Sequence, residues 1–348
     1  MDTLRYADLR ASVYTRGFPA GLTDELPALY SSLYSTPRWF RLFEDVTATG
    51  ACTLEEPRHV LFFSEDGDTV EVLNSFFTIA PSDVDRACTA LFRALPRARR
   101  VHIEVTFPTS ELRPPRRDLF STDHLVIDLP TTAEEYTASL GKRTRGNLRN
   151  SQNRLRRDFS TFSTEIRPVG DDSRELVDRF VTWKTDRLSG HGRVNYWEDR
   201  PDLTATLIAR LAQEGEVHTV TISGAIASLR FVFPVGDAVY AMLSAFDPRY
   251  EPYRLGFLSA YLMICDAVRH GFKSVNLQWG TPDYKLLLGA KPVTATRVSI
   301  FRSQRDRLYS LDEGWEVASR NLRRAAQREY WRARHAAGRL LKSPRSSD

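Results

Sequence analysis

The residues best able to do chemistry lie between positions 243 and 285, and they begin with a loop. Its sequence is Arg249-Tyr250-Glu251-Pro252-Tyr253-Arg254-Leu255-Gly256-Phe257, and it leads from an apolar strand pattern into an apolar helix pattern, Phe257 to His270. A loop that opens a helix straight after a central strand presents backbone N–H groups and the positive end of the helix dipole, which suit a phosphate group. Gly256 permits close backbone approach, and Arg254 adds a cation for a phosphate contact. Plain turn chemistry also accounts for a glycine at a helix start. Asp247 is placed to serve as a general base or to form an Asx-turn with Pro248. Tyr284 reads as a general acid or as a core aromatic. Lys285 offers an ammonium that supports developing negative charge if it faces a closed slot, and otherwise it is a solvated helix residue. Asp283 reads as the N-cap of the helix that carries both.

A second cluster is basic. The segment Gly141 to Arg157 holds Lys142, Arg143, Arg145, Arg149, Arg154, Arg156 and Arg157 with no acid among them, while Leu140, Leu148, Leu155 and Phe159 lie close to one face. Such a run is either a solvated helix face or a contact for a phosphate-bearing ligand, with Lys142, Arg143, Arg145 and Arg149 as the candidate contacts. The segment from Arg302 to Asp348 carries twelve basic and six acidic residues and suits RNA contact or a soluble amphipathic helix.

Other chemistries find no support in the pattern. No histidine has partners that make a catalytic triad, and the Gly-rich loop around His191 reads as a bland loop or as a border of the acceptor site. There is no G-x-S-x-G, no Walker sequence and no metal-ligand spacing, so no metal is expected. Cys52, Cys88 and Cys265 are scattered and odd in number, which fits no disulfide framework. No apolar run is long enough to span a membrane and no signal peptide is visible, so a cytoplasmic protein is expected. The 49 basic and 44 acidic residues give a net charge of +5, but only six of the bases are Lys (142, 184, 273, 285, 291 and 342). That scarcity makes each lysine less of a generic surface choice.

The elements that must position these residues alternate along the chain. Leu26 to Phe43 reads as a helix or helix pair interrupted near Pro37. His59 to Ser64 and Thr69 to Ile79 read as strands joined by Glu65-Asp66-Gly67-Asp68. Ser82 to Leu95 is an amphipathic helix with Ser82 as N-cap, and Val101 to Phe107 is a strand. Pro108 to Arg117 resembles a linker before a strand at His124 to Leu129. A long helix from Ala133 to about Phe159 should break at Gly141 or Gly146, and Arg174 to Leu188 and Leu203 to Glu214 are further helices. Glu216 to Ser223, Ala225 to Phe233 and Ala238 to Ala245 form a meander through turns at Ser223-Gly224 and Pro234-Val235-Gly236-Asp237. The helix Phe257 to His270 ends at Gly271, followed by a strand Ser274 to Trp279, a short helix Asp283 to Leu288, a strand Thr296 to Arg302 and a basic helical extension, Leu311 to Lys342.

The run Leu243-Ser244-Ala245-Phe246-Asp247-Pro248-Arg249-Tyr250, then Arg254-Leu255-Gly256, then Asn276-Leu277-Gln278-Trp279-Gly280-Thr281-Pro282-Asp283-Tyr284-Lys285, resembles the GNAT domain of CelD-like proteins. It is also similar to the Fem-type transferases, which use aminoacyl-tRNA to extend peptidoglycan precursors. The resemblance covers about 130 to 302 and extends more faintly to Tyr34-Ser35-Thr36-Pro37-Arg38-Trp39-Phe40, which looks like the family's opening motif. Arg254-Leu255 stands where the family often has Ser-Pro, and Asn276 where it usually has Asp.

The resemblance implies an α/β (α+β) fold of tandem GNAT-like domains, with mixed central sheets flanked by helices and a C-terminal helical extension. The expected domains are 1–123, GNAT-like and non-catalytic; 124–305, catalytic; and 306–348, the basic extension. It implies an N-acyltransferase in which an amine attacks an activated acyl or aminoacyl donor directly and forms an amide. Acyl-CoA or aminoacyl-tRNA would be the co-substrate, with no permanently bound cofactor, a small-molecule amine as acceptor and no DNA partner. Lys285 would stabilise the oxyanion with Tyr284 and Asp247 beside it, and Leu243, Ser244, Arg254, Leu255, Gly256 and Phe257 would hold the donor. Splaying of the strand Ala238 to Ala245 from the next one would open the slot. A degenerate GNAT pair acting as a scaffold or binding protein in polysaccharide or cell-envelope assembly is the alternative.

Overall fold

The computed structural model describes residues 2–42, 48–190, 215–280 and 283–310. The expected helix Leu203 to Glu214, the His191 loop, Thr281-Pro282 and the extension beyond 310 lie outside the described residues.

Among the described residues, thirteen strands form one mixed sheet in the order β1-β2-β3-β4-β5-β6-β13-β7-β12-β11-β10-β9-β8. The first half supplies β1 (Asp2–Tyr6), β2 (Ala11–Thr15), β3 (Gly50–Leu54), β4 (His59–Asp66), β5 (Thr69–Val72) and β6 (Arg100–Val105), with helices α1 (Leu22–Tyr30), α2 (Pro37–Leu42) and α3 (Pro81–Ala94). The turn between β4 and β5 closes at Gly67, whose φ of +61° is open to glycine. Helix α3 starts at Pro81 in its first turn with no side-chain cap, so Ser82 lies inside the helix. Pro supplies a preset φ where an orphan N–H would otherwise stand. Its apolar stripe, Val84, Ala87, Cys88 and Leu91, packs on the sheet core with Cys52, Leu61 and Phe63. All three cysteines are buried and unpaired.

The second half contributes β7 (Arg116–Asp128), α4 (Ala133–Ser139), α5 (Lys142–Asp158), β8 (Phe162–Pro168), α6 (Ser173–Gly190), β9 (Glu216–Ile222), β10 (Ala225–Val235), β11 (Ala238–Phe246), α7 (Leu255–Arg269), β12 (Ser274–Trp279), α8 (Asp283–Leu287), β13 (Lys291–Phe301) and α9 (Gln304–Tyr309). The expected linker ends early, because β7 already begins at Arg116 and runs through position 123 without a break. β13 then pairs with β7 on one side and with β6 on the other, so the last strand joins the two halves into one sheet. The expected long helix breaks at Leu140-Gly141, and Thr132 caps α4 by accepting from the Glu135 N–H.

Helix α7 is buried along nearly its whole length, from Leu255 through Val268. It packs on one face of β9 to β12 together with Tyr136 of α4 and Leu148 and Leu155 of α5. The opposite face of the same strands carries Leu229, Phe231, Phe233 and Tyr240 against Phe180 and Trp183 of α6 and Tyr34 of the first half. The β10–β11 turn docks on the end of α1. A Cβ at Gly236 would come 2.3 Å from Ser31 Oγ and 2.8 Å from the Pro27 carbonyl, so only glycine fits that approach.

Candidate functional site

Strands β11 and β12 pair in parallel only through Ala238↔Ser274, Val239↔Val275 and Tyr240↔Asn276. Beyond Tyr240 they diverge, and β12 keeps its ladder with β7 instead, as far as Trp279↔His124. On the other side of β11 the register with β10 shifts between Arg230↔Ser244 and Val232↔Ala241, which leaves one extra residue in β11 at Met242–Leu243. A bulge interrupts the ladder and re-aims a backbone N–H. Here it does so beside the gap between two splayed strands.

A cavity of about 360 Å³ lies against this gap, lined by Ser244, Ala245, Phe246, Arg254, Gly256, Phe257, Tyr284, Arg187 and Arg230 among others. The N-terminus of α7 forms one wall. Arg254 caps it with φ at +56°, and the Phe257 and Leu258 N–H groups both donate to its carbonyl at 3.0 Å. Gly256 is required for a reason the sequence does not display. A Cβ there would sit 2.6 Å from Phe246 Cε1, so the glycine makes room for a ring of the protein itself.

The expected donor residues divide. Ser244, Arg254, Gly256 and Phe257 line the cavity, Leu243 lies at the bulge and packs on the α6 side of the sheet, and Leu255, the first residue of α7, is fully buried in the core. Tyr284 lines the cavity together with Arg230. Asp247 caps the turn that follows β11. It accepts from the Arg249 N–H at 3.0 Å, and both carboxylate oxygens are engaged by the Arg249 guanidinium at 2.6–3.1 Å. Burial opposes its charge but these bonds prevail, and the carboxyl is held below its usual range.

Lys285 is buried, at 6% exposure. Its Nζ donates to the carbonyls of Trp279 at 2.8 Å, Gly280 at 3.3 Å and Gln278 at 3.4 Å, which ties α8 to the end of β12. Burial first, and the Arg230 charge second, lower its pKa to about 8. A second lysine shares this state. Lys184 of α6 reaches the Ser244 carbonyl at 3.4 Å, and burial with Arg187 and Arg230 nearby brings it to about 8 as well.

On the α6 face, the end of β12 meets the first half of the chain. His124 stacks on Phe76 at 4.1 Å and lies edge-on to Tyr34 at 5.3 Å and Trp279 at 6.0 Å, while the Tyr34 hydroxyl donates to Gln278. Tyr34 also meets Trp39, so the Tyr34 to Phe40 segment reaches the strand that carries the site. Three buried polar atoms here, His124 Nδ1, Asn276 Nδ2 and Gln278 Nε2, have no hydrogen-bond partner among the described residues.

Burial lowers the pKa of His124 to about 4, with the Lys285 charge adding to the effect. His218, buried against Asp266 at 3.1 Å, is also lowered, burial outweighing its partner. These rings protonate more readily in the unfolded chain than in the fold. The unfolded state therefore binds more protons between the ordinary value of 6.5 and about 4, and stability is lost as pH falls through that window. Denaturant melts at pH 7 and 4.5 should show this loss, and His124→Phe should reduce it. An unchanged slope in the variant would remove His124 from the account.

The basic helix α5 divides as well. Arg145 donates to the carbonyls of Ala138 and Leu140 at 2.7 and 2.8 Å and so closes the end of α4. Arg154 donates to the Pro252 carbonyl at 3.1 Å and lies over the Tyr253 ring at 5.1 Å, which fixes the loop before α7. Lys142, Arg143 and Arg149 are exposed. Of Arg187, Arg230 and Lys184, the sequence marks Lys184 only by the scarcity of lysine. One signal was available, an arginine inside the apolar strand Leu229-Arg230-Phe231-Val232-Phe233.

Among the described residues no helix is long and apolar enough to cross a membrane. A family model described as an acetyltransferase (GNAT) domain matches residues 142–286. Among solved structures, that of FemX is similar over 90% of this chain and 100% of its own, with a TM-score of 0.60 at 12% identity. A conserved protein of unknown function from Bacteroides thetaiotaomicron is similar over 83% of this chain and 99% of its own, with a TM-score of 0.52 at 12% identity. At such identities the likeness concerns the fold. No curated protein matches the chain.

Proposed function

We propose, from the premise that residues 142–286 carry a GNAT acyltransferase domain, that the protein transfers an acyl group from an activated donor to an amine. The observation that carries this reading is the divergence of β11 from β12 after Tyr240, next to the β11 bulge and the cavity at the start of α7. A thioester or ester carbonyl seated in that gap accepts a hydrogen bond from the N–H of Leu243 or Ser244. The amine nitrogen attacks the carbonyl carbon and forms the new C–N bond, and the oxygen takes the negative charge. Lys285 stabilises that charge by redirecting one of its two longer bonds, to Gln278 or Gly280, while the 2.8 Å bond to Trp279 persists. Collapse breaks the C–S or C–O bond, and the proton lost by the amine passes to the leaving sulfur or oxygen, with the Tyr284 hydroxyl as relay. Asp247, tied to Arg249, holds the turn rather than the proton.

The co-substrate is acyl-CoA or aminoacyl-tRNA, and no cofactor need stay bound. Arg187, Arg230 and Arg254 in the cavity favour a donor without a free ammonium, which points to acyl-CoA. Exposed Lys142, Arg143 and Arg149 on α5 offer contacts to the phosphates of either donor. A screen of acyl-CoAs and aminoacyl-tRNAs, read by melting temperature and amide formation, tests the proposal. Stabilisation by an acyl-CoA together with amide product is expected, because a ligand of the folded state raises its melting temperature. Stabilisation only by charged tRNA moves the donor assignment, and no turnover with any donor leaves a scaffold.

A further inference from the structure

Arg230 lies in the middle of an apolar strand and is only 4% exposed, yet its side chain lines the cavity. Its guanidinium lies within electrostatic reach of Tyr284, and its Nε has no hydrogen-bond partner among the described residues. A buried guanidinium is costly unless an opposite charge meets its geometry. Among the described residues the charges that act with Arg230 are Lys184 and Lys285, both of its own sign, and the Tyr284 hydroxyl beside it does not neutralise it. Arg187 and Arg254 add positive charge to the same cavity, against one exposed acid, Glu251. Among the described residues the site is thus short of one anion at its buried end.

We infer that the cavity is a receptor for a carboxylate on the substrate, received by Arg230. A carboxylate is planar and meets the side edge of a guanidinium with two parallel bonds, one of them from Nε. A pyrophosphate is tetrahedral and heavily hydrated, and suits the exposed Arg254 at the start of α7 better than an enclosed side chain. The inference rests on the acyl-transfer reading and narrows its substrate class. Either the acyl group is that of a dicarboxylic acid, or the acceptor is an amino acid rather than a simple amine.

Matched probes separate these sources. Succinyl-CoA and butyryl-CoA differ in the terminal carboxylate, as do L-alanine and ethylamine. Calorimetric binding to the full chain is compared with binding to Arg230→Met, with circular dichroism reporting the fold of the variant. An apolar side chain of similar length removes an unneutralised buried charge, so the variant should fold. In the wild type one pair should favour its carboxylate member by about tenfold or more, and the variant should lose that preference. The pair that responds identifies which reactant carries the group. Preference in the alanine pair with no binding of either CoA would retire the acyl-CoA donor while the receptor stands. Equal binding within both pairs, no binding of any probe, or a preference that survives in Arg230→Met overturns the inference. Should Arg230→Met fail to fold, Arg230→Lys decides, because a lysine keeps the charge without the side-on fork and should retain only part of the preference.

Discussion

Lys285→Met is expected to lower amide formation by about 100- to 1,000-fold, the loss seen when one oxyanion donor is removed. The side chain is buried, and the charge that acts on it is that of Arg230, a like charge. Removing an ammonium from such a place relieves desolvation and repulsion, so the variant should melt within a few degrees of the wild type. It does lose the tie to the carbonyls at the end of β12, and a collapse in melting temperature would assign Lys285 a structural part only. The pH profile adds a readout that scaffolding cannot mimic. With a pKa near 8, an ammonium that supports the oxyanion is present below that pH and lost above it. The rate governed by this group should therefore fall as pH rises through 8. A rise through the same pH would mean that the neutral amine acts as a base. Lys285→Arg keeps its charge at every accessible pH, so its residual activity should lack the alkaline fall.

Much of the scaffold around this lysine was legible in the sequence because local signals carried it. Gly67 and the Ser223-Gly224 pair mark hairpins that the structure contains, and Gly271 ends α7 as expected. The sequence carries no clear signal for the strands β1, β2, β3 and β8. They are short: β1 is largely exposed, β8 is half-buried with few apolar residues, and β3 is buried on both faces but spans only five residues, so none shows a long apolar alternation. Nor did any local signal show that β13 bridges β6 and β7, since strand pairing across nearly 200 positions leaves no trace in a short window.

The candidate site was half legible. Its loop, glycine and lysine stood out by type and spacing, whereas the bulge is a one-residue shift that exists only relative to a partner strand. Arg230 and Lys184 come near one another from a strand and a helix far apart in the chain. The segment Tyr34 to Phe40, a faint signal in the sequence, gains meaning from where it lands. It closes the α6 side of β12 with Tyr34 and Trp39.

Gly256→Ala separates the two explanations for the loop glycine. Alanine in a helix is worth up to about 1 kcal/mol more than glycine, so propensity alone predicts stabilisation. Against it stands the Phe246 ring, whose Cε1 and Cδ1 would lie 2.6 and 3.0 Å from the new Cβ. Overpacking of this kind costs about 1–3 kcal/mol, which exceeds the propensity gain. The ring is held by the core on one side and by the Arg187 guanidinium at 5.0 Å, and the cavity is the open direction left to it. The variant should therefore melt lower and bind its donor more weakly, and Gly256→Val should do both more severely. In a Phe246→Leu background the smaller side chain vacates the contact, and the sign should reverse, with Gly256→Ala now raising the melting temperature. A double-mutant cycle reads this coupling directly. Were alanine equally harmful without the ring, the glycine would serve the ligand and not Phe246, and the phosphate reading of the α7 start would regain its ground.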